Sequence, residues 1–583
     1  MGVIDITASD VPENVLLAHA LANVAEEDKS SGWAVKRSGD FVNEYARKSL
    51  DGSLSDGTSE NPNHLLGSFP CLFPYGQGGY EVDRPSHVSY AAHAKWSLRY
   101  DDKRFRKDHH FMFQTFGVLQ KRELCSAACL QLSKQTFARH ERAIKAFTPA
   151  DFQLAANEEK AHKQFSNPDM RALRQTLSSV RAKVMGTDES RRKLRAFVWG
   201  MCVKKNPPSV WLTINPSDTQ DPIAQVLCGE DIDLDHFCSL DHRPSAALIA
   251  SDPYAAATFF RLIINAVLHC LLGINAPSSG HPIERHTGIL GNVEAHIGTV
   301  EAQGRGTLHL HMMLWLTGSI PAPQMRERLL REDFRDRIKQ FISTNIHAHI
   351  PTHPGESILS VPKQPQVAFS RPVDPRLPDY EVRKQDAEIS IARTVQVHQC
   401  SQACMRLRKR RLVCKRNAPF RLAQEAWIDE HGDWNPKRLY GYFNNWCPSL
   451  LQCIRANHDI KLITNGEETK HITWYVTGYA IKDRELSANI SALLAKTFAF
   501  GRFDQLRQSD LSRINKRLIE RCANTLSRQQ ELSAPEVVNY LMGWNDRFVS
   551  HHFETIHWKS VMDLLCMTYP TLRSNRYVPP MKR

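Results

Sequence analysis

The chain contains no Gly-x4-Gly-Lys-[Ser/Thr] segment and not one Gly-Lys dipeptide. Without that glycine-rich cradle for the phosphates of a nucleotide, ATP-driven unwinding is not encoded in these 583 residues. Long hydrophobic runs are missing too. The most apolar stretch, around residues 262–272, is broken by Asn265 and His269. It falls short of the roughly 20 apolar residues that span a bilayer. The segment Met1–Thr7 lacks the basic stretch of a secretory signal, and Ile6 stands where a myristoylation signal takes Ser or Thr. Internal repeats are absent. The 14 cysteines are scattered through a long chain, unlike the dense framework of a small disulfide-bonded secreted domain. These absences predict an intracellular, soluble protein with no membrane partner.

What is present begins with charge. Lys and Arg number 75 against 62 Asp and Glu, a formal net charge of +13. A basic excess of that size suits a polyanionic partner, nucleic acid first. Hydrophobic residues make up 42% of the chain, enough for several cores.

Patterning divides the chain into seven parts. Residues 1–64 are a polar, flexible lead-in. Residues 65–197 open on Phe69-Pro-Cys-Leu-Phe-Pro-Tyr-Gly-Gln-Gly-Gly79, an ordered loop, and continue as a charged, helical, DNA-binding region. Residues 198–318 read as strand, helix, strand, turn, strand, with Asp252-Pro253 capping the helix start. Residues 319–396 look like an insertion with one helix over about 322–344. A cysteine-rich knuckle covers 397–420. A second part of the core covers 421–486, and a mainly helical region covers 487–583.

The most informative strand is Thr307–Leu316, entered through the turn Gly304-Arg305-Gly306. Side chains of a strand alternate between faces, so His309 and His311 share one face. Two imidazoles on one face of an apolar strand suit a divalent metal. Glu301 and Gln303 supply oxygen ligands just upstream; a carboxylate suits Mg²⁺ better than an amide, which favours Glu301. The plainer alternative is a hydrogen-bonded core histidine beside an exposed one.

Tyr475 and Tyr479 are four residues apart, with Lys482 three further on. On a helix all three lie on one face. A phenol becomes a competent nucleophile beside a cation and a metal-polarised phosphate. Two aromatics at helical spacing packing in a core is the alternative.

His398, Cys400, Cys404 and Cys414 place four nitrogen and sulfur ligands within 17 residues, a set fitted to tetrahedral Zn²⁺ in a structural role. Arg406, Arg408, Lys409, Arg410 and Arg411 are interleaved with them and, with Arg305, offer phosphate contacts. This charge is also expected to favour thiolates.

A two-histidine strand followed by a helical tyrosine pair forms the working parts of HUH endonucleases. The chain resembles the N-terminal, replication-initiator-like region of Helitron transposases, the Helitron helicase-like domain, over roughly residues 65–485. The resemblance is carried by Phe69–Gly79, Trp211-Leu-Thr-Ile-Asn-Pro216, Glu301-Ala-Gln-Gly-Arg-Gly-Thr-Leu-His-Leu-His311, the His398/Cys400/Cys404/Cys414 cluster, and Tyr475-x3-Tyr479-x2-Lys482. It implies an α/β (α+β) HUH nuclease core with a central antiparallel sheet, decorated by a helical N-terminal region and a zinc knuckle. It implies Mg²⁺ or Mn²⁺ on His309 and His311, with Tyr475 and Tyr479 as nucleophiles toward single-stranded DNA at transposon ends and target. The expected location is nuclear. Two departures stand out: Gly304-Arg-Gly-Thr-Leu308 replaces the family's Lys-Arg-Gly-Leu-Pro, and Gly478 replaces a Lys. The family's helicase would be missing or supplied separately. The competing expectation is a non-catalytic, host-retained DNA-binding remnant.

Overall fold

The computed structural model describes residues 46–48, 54–56, 65, 68–80, 85–86, 88–132, 146–232, 243–275, 284–303, 306–364, 372–408, 411–464, 489–495, 511–554 and 558–570. Tyr475, Tyr479 and Lys482 lie outside the described residues, as do Arg305, Lys409 and Arg410.

Five strands form one antiparallel sheet: β1 (Val210–Asn215), β2 (Val293–Ala302), β3 (Leu308–Leu316), β4 (Asn457–Leu462) and β5 (Arg547–Val549). Their spatial order is β4-β1-β3-β2-β5. Nearly every residue of β3 is buried because it is the central strand and both sheet faces are covered. Leu308, Leu310, Met312 and Leu314 enter one core, whereas Met313 and Trp315 enter another on the opposite face.

Six helices matter for the site. They are α1 (His109–Leu132), α2 (Asp188–Lys205), α3 (Pro253–Ala266), α4 (Glu332–Asn345), α5 (Tyr380–Val395) and α6 (Ala534–Leu541). Met112 and Phe116 of α1, Phe260 and Ile264 of α3, Ile342 of α4 and Val537, Val538 and Leu541 of α6 fill the first core. The start of α3 follows from sequence: the Asp252 side chain accepts from the Ala255 amide at 3.0 Å and Pro253 takes the first helical position. A π-helical turn, Val267–Leu271, extends α3. Pro253–Leu271 is thereby the one helix among the described residues long and apolar enough to cross a membrane, longer than the broken 262–272 run suggests. Its Phe259, Phe260 and Ile264 are core residues of this fold.

On the other face, α2 presents Arg191, Leu194, Val198 and Met201 at three- and four-residue spacing, one stripe of the helix. The three apolar members pack on Trp211, Ile297, Met313 and Trp315.

Two parts of the chain differ from the sequence expectation. Among the described residues, 319–396 hold three α-helices, Ala322–Leu329, α4 and α5, in place of one. Ile350, Ile358 and Ile391 join Phe443, Trp446 and Leu451 in a core of their own, so the segment is built around a hydrophobic centre that its Pro and charge content hid. The 487–583 region, read as mainly helical, supplies β5 to the central sheet. A three-residue strand, Arg547-Phe-Val549, is too short to show an alternating pattern.

Candidate metal centres

The sheet face beneath α2 changes character along the strands. Cross-strand partners share a face, so register gives the composition of each row. Asp459, Thr213, His311, Thr299 and Arg547 form one polar row across all five strands. Two residues along, toward the end of β3 nearest the turn, Glu301 sits directly opposite His309. In the other direction the row is Lys461, Trp211, Met313, Ile297 and Val549, largely apolar and under α2.

The Nε2 atoms of His309 and His311 are 2.9 Å apart, with ring planes at 85°. Glu301 Oε2 lies 3.9 Å from His309 Nε2. One ligand atom from each of the three falls within 4.8 Å of the others, and all three residues are buried. Around an octahedral ion with bonds of about 2.1 Å, adjacent ligand atoms lie about 3.0 Å apart and opposite ones about 4.2 Å. The donor set and its spacing therefore fit a Mg²⁺- or Mn²⁺-sized ion.

The His311 imidazole is held by two neighbours. Thr213 Oγ1 is 3.0 Å from His311 Nδ1, and the Trp211 ring stacks on the His311 ring at 5.3 Å and 12°. An Nδ1–H donated to the Thr213 hydroxyl leaves the Nε2 lone pair facing His309 and Glu301. Burial, then the His309 ring and the Arg191 charge, push His311 down to about 3, so it is neutral across the physiological range. A neutral imidazole is the ligating form.

Arg191, at the sheet-facing start of α2, completes the electrostatics. Its Nη2 is 3.2 Å from Glu301 Oε1 and its Nη1 is 4.0 Å from Glu536 Oε1. Burial works against its charge, but Asp546, Glu301, Tyr540 and Glu536 outweigh it and hold its pKa above the ordinary value. Asp546 in turn accepts from Tyr540 and Arg547. Deleting one partner of such a buried group leaves uncompensated charge, at about 3–5 kcal/mol. Arg191→Met is therefore expected to lose about that much stability in a urea melt. A loss below about 1 kcal/mol would mean that solvent or relaxation replaces the guanidinium.

Gln303 falls just beyond the end of β2. Its Nε2 donates to Asn215 Oδ1 at 2.6 Å, and Asn215 passes the chain of amides to Asn457 and then to the Val395 carbonyl at the end of α5. Gly306, with φ of +83°, turns the chain from β2 into β3, a conformation that favours glycine.

Arg191, Thr213, Glu536 and Asp546 were missed by sequence reasoning. Thr213 was legible: it alternates with Trp211 and Asn215 in a strand already recognised. Arg191 and the two acids were not, because they come from two helices and the bend before β5, all more than 100 residues from β3.

The second group is His398, Cys400, Cys404 and Cys414, whose ligand atoms also lie within 4.8 Å of one another. His398 Nε2 is 3.5 Å from Cys400 Sγ and 3.3 Å from Cys414 Sγ. Bonds of about 2.0–2.3 Å to a tetrahedral ion give edges of about 3.5–3.8 Å, so the His–Cys contacts suit Zn²⁺. An antiparallel hairpin, Met405–Arg408 against Arg411–Cys414, brings Cys414 back beside Cys404. Val397 is bridged to Phe443 and the His398 amide donates to the Tyr442 carbonyl, tying the cluster to the neighbouring core.

Cys414 responds to backbone amides and neighbouring thiols, not to the arginine side chains expected to activate it. Burial acts to raise Cys414, but the amides of Ala418 and Arg416 and the neighbouring thiols bring it below its ordinary value. Cys400 is pushed up to about 11 by desolvation first, then by Cys414 and Cys404. A zinc assay tests the group: about one ion per chain in the wild type, lost in Cys414→Ser. Zinc-free wild-type protein would leave three reduced thiols and an imidazole with no ion.

Residues 93–314 match the family model for the Helitron helicase-like domain at the N-terminus. The matched span runs from within the helix Tyr90–Leu98 to Leu314 in β3, so it includes β1, β2, Glu301, His309 and His311. It stops short of the cysteine cluster and of Tyr475 and Tyr479. Over that span the chain is similar to the Helitron helicase-like domain, and its described residues form a mixed helix-and-sheet architecture. No curated protein matches it.

Proposed function

We infer that the chain is a metal-dependent endonuclease and strand transferase of single-stranded DNA, acting in the nucleus for a Helitron-like rolling-circle transposon. The observation that carries this reading is the convergence of Glu301, His309 and His311 on one sheet face, inside the span that matches the Helitron helicase-like domain. Those three residues would hold Mg²⁺ or Mn²⁺, which when bound supplies Lewis-acid polarisation of the scissile phosphate. Thr213 and Trp211 orient the His311 ring, and Arg191 orients Glu301.

The reaction is a transesterification. The phenol oxygen of Tyr479 or Tyr475 attacks phosphorus, the bond from phosphorus to the 3′-oxygen breaks, and the proton lost by the phenol is matched by one gained at the 3′-oxygen. The products are a 5′-phosphotyrosine and a free 3′-hydroxyl. One phosphoester bond replaces another, so ATP is not needed. Lys482 offsets charge developing on the phosphate. The second tyrosine accepts a second strand. His398, Cys400, Cys404 and Cys414 would hold Zn²⁺, which when bound supplies a structural cross-link at the base of the basic hairpin.

A second reading, a catalytically silent DNA-binding remnant, is favoured by Gly478 in place of the family's Lys beside Tyr479. The deciding experiment is a covalent adduct assay: full-length protein, single-stranded oligonucleotides and Mn²⁺, resolved under denaturing conditions. A phosphotyrosine-linked band supports the enzyme. Binding without any adduct, over varied sequences and metals, supports the remnant.

A further inference from the structure

The basic hairpin has two unlike faces. Its register pairs Met405 with Cys414, Arg406 with Val413, Leu407 with Leu412 and Arg408 with Arg411. Alternation puts Leu407 and Leu412 side by side on the face that also carries Met405 and Cys414, with Arg406 and Arg411 opposite. Leu407 is 72% exposed and Leu412 67% exposed. The base of the hairpin is held by the His398, Cys400, Cys404 and Cys414 group. From residue 400 to residue 424 there are eight Lys and Arg and no Asp or Glu.

A leucine pair left in water on a short hairpin does nothing for the core. Its setting points to an occupant with an apolar interior and an anionic exterior. Nucleic acid has that arrangement: phosphates outside, stacked bases inside. We propose that Leu407 and Leu412 form a wedge that enters a base step of DNA at a single-strand/double-strand junction, while Arg406, Arg411 and their neighbours hold the flanking phosphates. Apolar side chains unstack base steps in this way, and cationic contacts repay the unstacking. The His–Cys group at the base of the hairpin lets the leucine pair press on the stack without bending away. This proposal rests on the DNA reading above and deepens it by naming the part of the substrate the hairpin recognises.

The test uses full-length protein and a forked duplex with 2-aminopurine at the junction, whose fluorescence rises on unstacking. Wild type is expected to raise the signal several-fold. Leu407→Ala/Leu412→Ala, with unchanged zinc content, should bind the fork within about threefold of wild type yet lose most of the rise. Leu407→Phe/Leu412→Phe should keep it. Arg406→Ala/Arg411→Ala should weaken binding and flatten its salt dependence, since each lost phosphate contact lowers the slope by about one. A full rise with the alanine pair, or tight wild-type binding with no rise, overturns the wedge and leaves the DNA reading standing. Failure of wild type to bind any DNA, with retention on phosphatidylserine vesicles in its place, overturns both.

Discussion

His309→Ala/His311→Ala is expected to bind Mn²⁺ at least about 100-fold more weakly than wild type and to form no covalent adduct on single-stranded DNA. The magnitude is set by comparison: losing a group that only orients a ligand already costs about 10–100-fold, and here two of three ligands go. Both rings are buried, so the control is cooperative urea unfolding. Calorimetry or Mn²⁺ resonance in the absence of DNA reads the site separately from catalysis. Thr213→Val is the graded companion. It removes the hydroxyl 3.0 Å from His311 Nδ1 and should cost about 10–100-fold in metal affinity. Equal Mn²⁺ binding by wild type and the double variant would remove the Glu301, His309 and His311 group from consideration as a metal centre.

The other large effect concerns the nucleophiles. Tyr479→Phe is expected to abolish most of the adduct, and Tyr475→Phe to reduce it less. The inequality follows from local charge: Lys482 is three residues from Tyr479 and seven from Tyr475, and it offsets the missing cation at Gly478. A phenol attacks as its phenolate, and a nearby cation lowers the cost of that form. Gly478→Lys should then raise adduct yield. If both phenylalanine variants match wild type, attack by tyrosine fails as a mechanism, and a water-dependent cleavage or the silent remnant takes its place.

Much of the sheet was legible in the sequence. Ser209–Pro216, Gly291–Val300 and Thr307–Leu316 read as strands and correspond to β1, β2 and β3, because each is apolar, β-capable and bounded by a Gly, Asn or Pro stop. Period-two alternation put His309 and His311 on one face, and the structure has them there with Glu301 opposite. The short spacing of His398, Cys400, Cys404 and Cys414 also sufficed to foresee their proximity. What was not legible is long-range. Arg191 belongs to a helix whose pattern is simply amphipathic, and its meaning comes only from Glu301, Glu536 and Asp546 converging on it. Isoleucines spread through a Pro- and charge-rich segment hid the core around Phe443 and Trp446.

The late arrival of β5 sets a schedule for the whole molecule. Strand β2 ends at Ala302, and its edge partner begins at Arg547, about 245 residues later. At synthesis rates of about 5–20 residues per second, that gap is on the order of tens of seconds. Throughout it, β2 presents an open edge, the kind that recruits stray strands. Over the same interval Asp546 and Glu536 are not yet there to balance Arg191, so its only acidic neighbour in this group is Glu301. A nascent chain thus holds Glu301 against Arg191 before the other two acids arrive. Strand β5 acts as a clasp, closing this edge of the sheet late.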